Sequence, residues 1–555
     1  MFDRHMGIWP SGIPHHIEVP ERNLSENLRL TAEAQPDKVA IHYHGVDITF
    51  AELHTAVLRI AGWLQHGAGV AKGDRVLLFM QNSPHFIIGY YAILRANAVV
   101  VPVNPMNREH ELDHLIRDTG ARVALTGQEL LEHIAHFLRE KLLDRVLVAA
   151  YADKAGRAPD IPLPAGLECR GRDDYGLPGA IGWPVAEAMR LSPGPLATGA
   201  DDLAVIPYSS GTTGQQKGCM HSHRTVMTTC VGGIVWNPQG TGFPSLSVLP
   251  LFHVTGMQAS MNCPILTGDT IVLMTRWDRR VAAKLIKRHG IARWRCITTM
   301  VIDLLNDPEI DASDLSSLRV VGGGGAAMPA PIAKRLKELT GLDYIEGYGM
   351  SETIAATHIN PVDRPRRQCL GIPVFDVDSR IIDPETGDEL GVGDVGEIIV
   401  SAPQVFLGYW NKPEATKAAF IELDGKPFLR TGDIGRYDEE GYFYIVDRMK
   451  RMINASGFKV WPTEVEAILH DHPAIAEICV VGYRDIRRGE SVMAYVVLRE
   501  EVSEEDLIAW CRKEMAVYKV PRKVVFVDTL PRNASGKLQW KQLAEQAQET
   551  FGEVG

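Results

Sequence analysis

Through the first 150 residues, short apolar runs alternate with segments whose apolar positions recur at helical spacing. The runs 39–43 and 48–50 flank His44-Gly45 and predict a hairpin. Residues 51–65 read as a helix, 75–80 as a buried strand, 83–95 as a second helix and 98–103 as a second buried strand. Alternating strands and helices predict a largely parallel, layered α/β sheet. The stretch 159–195 carries seven prolines without sustained periodicity and reads as an irregular surface connection. The βα pattern resumes at 271–274, 281–288, 318–321 and 332–339. A β-rich stretch follows at 379–382, 397–400 and 441–446, broken by turns such as Pro384-Glu385-Thr386-Gly387. Past Asp447 comes a compact run: helix 462–469, strands 476–483 and 493–498, helix 504–513 and strand 523–527. The fold class is therefore α/β. A large N-terminal domain with a β-rich subdomain spans 1–447, and a small C-terminal α+β lid spans 451–555.

A chain of 555 residues exceeds what one core supports, in keeping with two domains. The net charge of −11 argues against nucleic-acid or anionic-membrane partners, which need a basic surface. The eight cysteines form no C-x-x-C pair and read as reduced thiols of a cytoplasmic protein. The N-terminus lacks the basic-then-apolar order of a signal peptide. No run reaches the ~18 apolar residues of a membrane-spanning helix. Peripheral membrane contact and a homodimer stay open.

Chemistry concentrates in Tyr208-Ser209-Ser210-Gly211-Thr212-Thr213-Gly214-Gln215-Gln216-Lys217-Gly218, which follows the apolar run 203–207. Glycines let backbone N–H groups converge on an anion, hydroxyls donate to phosphate oxygens, and the lysine adds a compact charge. This composition describes a triphosphate cradle, without the spacing of a Walker loop. Downstream lie Glu346-Gly347-Tyr348-Gly349-Met350-Ser351-Glu352, Arg430-Thr431-Gly432-Asp433, Asp447-Arg448-Met449-Lys450 and Pro531-Arg532-Asn533-Ala534-Ser535-Gly536-Lys537. In this order the set resembles the adenylate-forming superfamily of acyl-CoA synthetases, peptide-synthetase adenylation domains and luciferases, from about residue 40 to Lys537.

The resemblance implies a two-step reaction. A carboxylate attacks the α-phosphate of ATP to give an acyl-adenylate and pyrophosphate, and a thiol then displaces AMP. Ser209, Ser210, Gly211, Thr212, Thr213, Gly214 and Lys217 would cradle the phosphates. Glu352 would hold Mg²⁺ with Thr212 alongside, a hard-oxygen set suited to that ion. Gly324, Gly325 and Ala326, with Tyr348, would seat the adenine, and Gly347, Gly349, Met350 and Ser351 would join them in binding ATP or AMP. Asp433 would accept from both ribose hydroxyls, with Arg448 just beyond. Lys537, in a loop too flexible for packing, would bridge the acyl carboxylate and the α-phosphate. Lys450 matches the hinge of 448–450, about which domain rotation would exchange the Lys537 loop for a CoA-binding face at Ser456-Gly457-Phe458-Lys459.

Pro250-Leu251-Phe252-His253-Val254-Thr255-Gly256-Met257 resembles the wall of the acyl pocket, with His253 near the acyl carboxylate and Val254 and Met257 beside the chain. Residues 248–268 contain no acidic side chain, and an unpaired ammonium in an apolar pocket is costly, which disfavours an amino-acid substrate. Met257 stands where some long-chain relatives carry a gating tryptophan, and its flexibility suits irregular apolar volume. The expected activity is an ATP-dependent acyl-CoA ligase acting on a medium- or long-chain fatty acid. An aromatic or short branched acid, a carrier-protein thiol as acceptor, a luciferase-like oxygenase and a non-enzymatic nucleotide-binding scaffold are the alternatives. The absence of a G-x-S-x-G elbow argues against a hydrolase.

Overall fold

A computed structural model describes residues 2–157, 159–209, 216–325, 327–455, 458–486, 489–532 and 538–552, with Gly240, Arg448, Lys450, Phe458 and Lys459 described by their backbone. The chain divides into two compact units. The first holds residues 3–378 and 401–429, and the second holds Phe2, 379–400 and 430–555. The β-rich stretch after 378 thus groups largely with the C-terminal module, and the boundary read at 447 lies inside the second unit.

Among the described residues, the first unit is built on two sheets. One runs, in spatial order, Ala180–Gly182, Arg145–Ala149, Val123–Gly127, Arg75–Phe79, Val99–Pro102, Leu203–Val205, His221–Ser222, and is parallel up to its antiparallel last pair. The other runs Ile372–Pro373, Ala355–Ile359, Tyr344–Met350, Val320–Gly324, Arg293–Arg295, Ser245–Ser247, Ile271–Leu273, Val39–Tyr43, Val46–Thr49. Its interior pairs are parallel and its edges antiparallel. The hairpin, the helices Phe50–Gly62 and Pro84–Arg95 and both buried strands stand where the periodicity placed them. Each helix starts at a hydroxyl cap. Thr49 and Glu52 form a reciprocal box, and Ser83 Oγ accepts from the Phe86 N–H. Pro84–Arg95 is buried on nearly every face, because it lies in the main core shared with Phe50–Gly62 and the segment after His253.

One expectation fails. The proline-rich 159–195 is not wholly irregular: it contains the strand Ala180–Gly182 and the helix Trp183–Ala188, which buries Trp183 in the main core. Pro184 sits in the first turn of that helix, where its missing N–H costs no hydrogen bond.

In the second unit, residues 433–437 of the strand Lys426–Tyr437 pair with Phe443–Arg448. The C-terminal sheet runs Phe458–Val460, Ile453–Ala455, Gly489–Leu498, Ile475–Asp485, with Lys523–Phe526 parallel to Gly489–Leu498. Helices Pro462–His470 and Glu504–Glu514 bury Val465, Leu469, Leu507 and Cys511 against it. Helix Trp540–Phe551, which the sequence reading did not name, packs Leu543 and Ala547 beside Cys479 and Met493. No helix among the described residues is long and apolar enough to cross a membrane.

Candidate active site

The glycine- and hydroxyl-rich loop leaves Leu203–Val205 and is pinched at its base. Tyr208 bridges Gly218, and the Ser209 N–H donates to the Lys217 carbonyl at 2.9 Å. Ser210, Gly211, Thr212, Thr213 and Gly214 lie outside the described residues, as do Ala326, Ser456, Gly457 and Lys537. The base is braced by residues that the motif reading missed. The Tyr208 hydroxyl donates to Asp118 Oδ2 at 2.6 Å, and His114 Nε2–H donates to the Gln216 carbonyl at 2.9 Å. Both braces come from the helix Glu109–Thr119. On the other side, residues 218–220 pair with 407–410: Leu407 N–H donates to the Met220 carbonyl (2.8 Å) and Trp410 N–H to the Gly218 carbonyl (2.8 Å).

This second pairing brings Tyr409 to the centre of the site. Lys217 Nζ lies 4.7 Å from the centroid of the Tyr409 ring, and the Tyr409 hydroxyl donates to Glu352 Oε1 at 2.8 Å. Burial and the Glu352 charge push the Tyr409 phenol far above its ordinary range, so it stays a donor. Glu352 is only 8% exposed, and its Oε2 has no protein donor among the described residues. A buried carboxylate with one oxygen held and one open suits a hard cation such as Mg²⁺.

Glu352 sits on the single turn Ser351–Thr353 between two antiparallel strands, Tyr344–Met350 and Ala355–Ile359. Its carbonyl accepts from the Phe406 N–H at 2.8 Å. The Ser351 carbonyl accepts from His221 Nε2–H at 2.8 Å, and burial pushes His221 down to about 4, which keeps it neutral. The reversal is tight. Ile354 and Ala355 take φ of 47° and 118°, strained for residues with a side chain. A Cβ on Gly349 would meet the Ala355 carbonyl oxygen at 1.7 Å, so this position admits only glycine.

Tyr348 is buried in the same strand, edge-on to His358 across the ladder with ring centroids 5.6 Å apart. Gly324 pairs with Gly347, and a Cβ there would sit 2.3 Å from the Gly347 carbonyl oxygen. Glu346 accepts from the Met328 and Cys369 N–H groups, bracing the Gly324–Gly347 neighbourhood. His253 is exposed, and its Nδ1 accepts from the Thr255 N–H as the cap of Val254–Met257. Val254 and Met257 are buried, Met257 completely, in the main core.

In the second unit, Asp433 is 1% exposed, and its N–H donates to Thr431 Oγ1 at 3.1 Å. It stands directly opposite Arg448 in the ladder, so two residues far apart in sequence occupy one register position. Lys450 lies in the turn Met449–Arg451 that follows.

Known proteins resemble the chain over nearly its whole length. The model of the AMP-binding enzyme family matches residues 28–410, and that of the AMP-binding enzyme C-terminal domain matches 464–537. A long-chain-fatty-acid–CoA ligase of Bacillus subtilis is 35% identical over 551 residues, 98% of this chain and 97% of its own. A feruloyl-CoA synthase of an Amycolatopsis species is 33% identical over 513 residues, 91% of this chain and 95% of its own. Among solved structures, ATP-bound MatB from Rhodopseudomonas palustris superposes with a TM-score of 0.83 at 29% identity, covering 95% of this chain and 99% of its own. The O-succinylbenzoate coenzyme A synthetase of Bacillus subtilis, in complex with ATP and magnesium, gives 0.77 at 28% identity, with 94% and 100% covered.

Proposed function

The chain belongs to the AMP-binding enzyme family and is an AMP-forming acyl-CoA ligase, and from that premise we propose that its acid is a medium- or long-chain fatty acid. In the first half-reaction a carboxylate oxygen attacks the α-phosphorus of ATP and pyrophosphate leaves. In the second, the CoA thiol attacks the acyl carbonyl, loses its proton, and AMP leaves. Both halves move charge between fixed centres, so positioned cations and donors carry the catalysis.

The observation that carries the reading is the Lys217–Tyr409–Glu352 array at the foot of the phosphate loop. Lys217 pairs with the β- and γ-phosphate oxygens alongside the loop hydroxyls. Glu352 would hold Mg²⁺, with Thr212 as the second candidate ligand, and the ion would offset phosphate charge when bound. Tyr348 and the Gly324–Gly347 neighbourhood seat the purine, Asp433 the ribose hydroxyls, and Arg448 the ribose or phosphate. Lys537 bridges the carboxylate and the α-phosphate in the first half only, with Lys450 as the hinge. Ser456, Gly457, Phe458 and Lys459 pass the pantetheine arm in the second half.

The fatty-acid assignment is supported by the acid-free, apolar 248–268 segment with Val254 and Met257 buried in it, and by likeness to a long-chain-fatty-acid–CoA ligase. An aryl acid is the second reading, favoured by likeness to a feruloyl-CoA synthase. The buried free thiols suit a reducing cytoplasm.

The test incubates the protein with ATP, Mg²⁺, CoA and a panel running from butyrate to stearate plus ferulate. We expect acyl-CoA and AMP in equal amounts, with the highest kcat/KM at octanoate or longer. A preference for ferulate or short branched acids would overturn the substrate assignment, and no pyrophosphate release with any acid would overturn the ligase itself.

A further inference from the structure

The segment 248–262 crosses the main core, yet polar side chains hold it at both ends. At its start, Asn82 is 5% exposed and spends its whole amide on this segment and the next strand end. Its Oδ1 accepts from the Leu251 N–H at 2.9 Å. Its Nδ2 donates to the Leu249 carbonyl at 3.0 Å, and to those of Val248 and Met274 at 3.4 Å. Asn82 follows strand Arg75–Phe79 of one sheet, whereas Val248 and Met274 directly follow strands Ser245–Ser247 and Ile271–Leu273 of the other. One side chain therefore ties the carboxyl ends of both sheets together, where α/β folds place their ligands.

At its far end the segment passes through the π-helical turn Gln258–Asn262, a wider turn that recurs at functional sites. There the Tyr91 hydroxyl donates to Asn262 Oδ1 at 2.7 Å, and Asn262 Nδ2 donates to the Tyr90 hydroxyl (3.3 Å) and to Gln258 Oε1 (3.0 Å). Tyr90 and Tyr91 belong to Pro84–Arg95, the helix that begins two residues after Asn82. Burying this many polar groups in an apolar core is costly unless each is paired, and here they pair with one another across the segment. Apolar packing alone tolerates sliding, whereas directed hydrogen bonds at two points fix position and register.

We propose that Asn82 and the Tyr90–Tyr91–Asn262 cluster are positioning residues that clamp the acyl-binding segment at its two ends. Asn82 sets the carboxylate end near His253, and the tyrosine cluster sets how deep an acyl chain reaches. The inference rests on the reading that 250–257 walls the acyl pocket.

Adenylation kinetics over the straight-chain panel test it, with ATP varied separately. Asn82→Ala should lower acid kcat/KM tenfold or more, evenly across chain lengths, and leave the KM for ATP within twofold. Tyr91→Phe, which removes one hydroxyl and little volume, should instead change the chain-length profile, shifting the ratio of stearate to octanoate at least threefold. Ser83→Ala is the folding control, because it removes the cap on Phe86 and the hydroxyl's bonds to Gln81 and Met80 next to Asn82 while leaving the Asn82 amide in place. If Asn82→Ala and Ser83→Ala lower Tm alike and share one kinetic phenotype, the clamp is merely structural and the proposal falls. If His253→Ala and Met257→Trp change acid kinetics while the clamp variants do not, the clamp is wrong and the pocket reading stands. If all four leave acid kinetics unchanged, the pocket reading fails and the clamp with it.

Discussion

Replacing Tyr409 by phenylalanine removes one oxygen and tests the centre of the proposed site. The ring that faces Lys217 at 4.7 Å is kept, so any loss reports the 2.8 Å hydrogen bond to Glu352. That carboxylate is 8% exposed and accepts a bond from a neutral donor, a charged pairing of a kind worth about 1.5–3 kcal/mol. At 1.4 kcal/mol per decade, a step that needs Glu352 oriented should slow by roughly 10- to 150-fold. The step is adenylation, read as acid-dependent pyrophosphate release at varied ATP and Mg²⁺. The apparent Mg²⁺ requirement should rise, and thioester formation from supplied acyl-adenylate should stay within twofold. Tyr409→Leu should lose a further ~0.5–2 kcal/mol, because the cation–π contact to Lys217 goes as well. Unchanged pyrophosphate release in Tyr409→Phe would refute the reasoning. So would equal losses in both half-reactions with a lowered Tm, since that marks Tyr409 as packing alone.

Lys537→Ala should cost about 10²–10³ in adenylation, the usual loss when one group stabilising developing charge is removed, and spare thiolysis of supplied acyl-adenylate; parallel losses would argue against a lysine that serves one half-reaction. Asp433→Ala should raise the KM for ATP and abolish discrimination between ATP and 2′-deoxy-ATP, with acid preference unchanged; retained discrimination would remove Asp433 from the ribose site. Met257→Trp overfills a fully buried position at a cost of about 1–3 kcal/mol, which should fall mainly on the longer acids; an even loss at every length would make Met257 a general core residue. Burial holds His221 and His223 at about 4 when folded, against 6.5 unfolded. Below 6.5 the unfolded chain therefore binds more protons, and stability present at neutral pH is lost as pH falls from 6.5 towards 4, by up to about 3 kcal/mol per histidine. Thermal melts should show Tm falling across that window, and His221→Gln should flatten the slope.

Much of the fold was legible because its signals are local. The hairpin at His44-Gly45, the capped helices after Thr49 and Ser83 and the buried strand Arg75–Phe79 each depend on residues within one element. The family motifs are local in the same sense. The partners that organise them are not. Tyr409 meets Glu352 across 57 residues, Tyr208 meets Asp118 across 90, and Asn82 meets Leu251 across 169. No periodicity or spacing encodes such pairs, because each arises only when strand order has placed two distant loops side by side. The same holds for Ala180–Gly182, where the surrounding prolines speak for a loop until Arg145–Ala149 offers an edge to pair with. His253 and Met257, four residues apart, part company for a like reason: one caps a helix in solvent while the other enters the core. Local chemistry determined which residues could bind a nucleotide and turn the chain. Tertiary packing alone decided which of them face one another, because desolvation and directed hydrogen bonds act through space and are indifferent to distance along the chain.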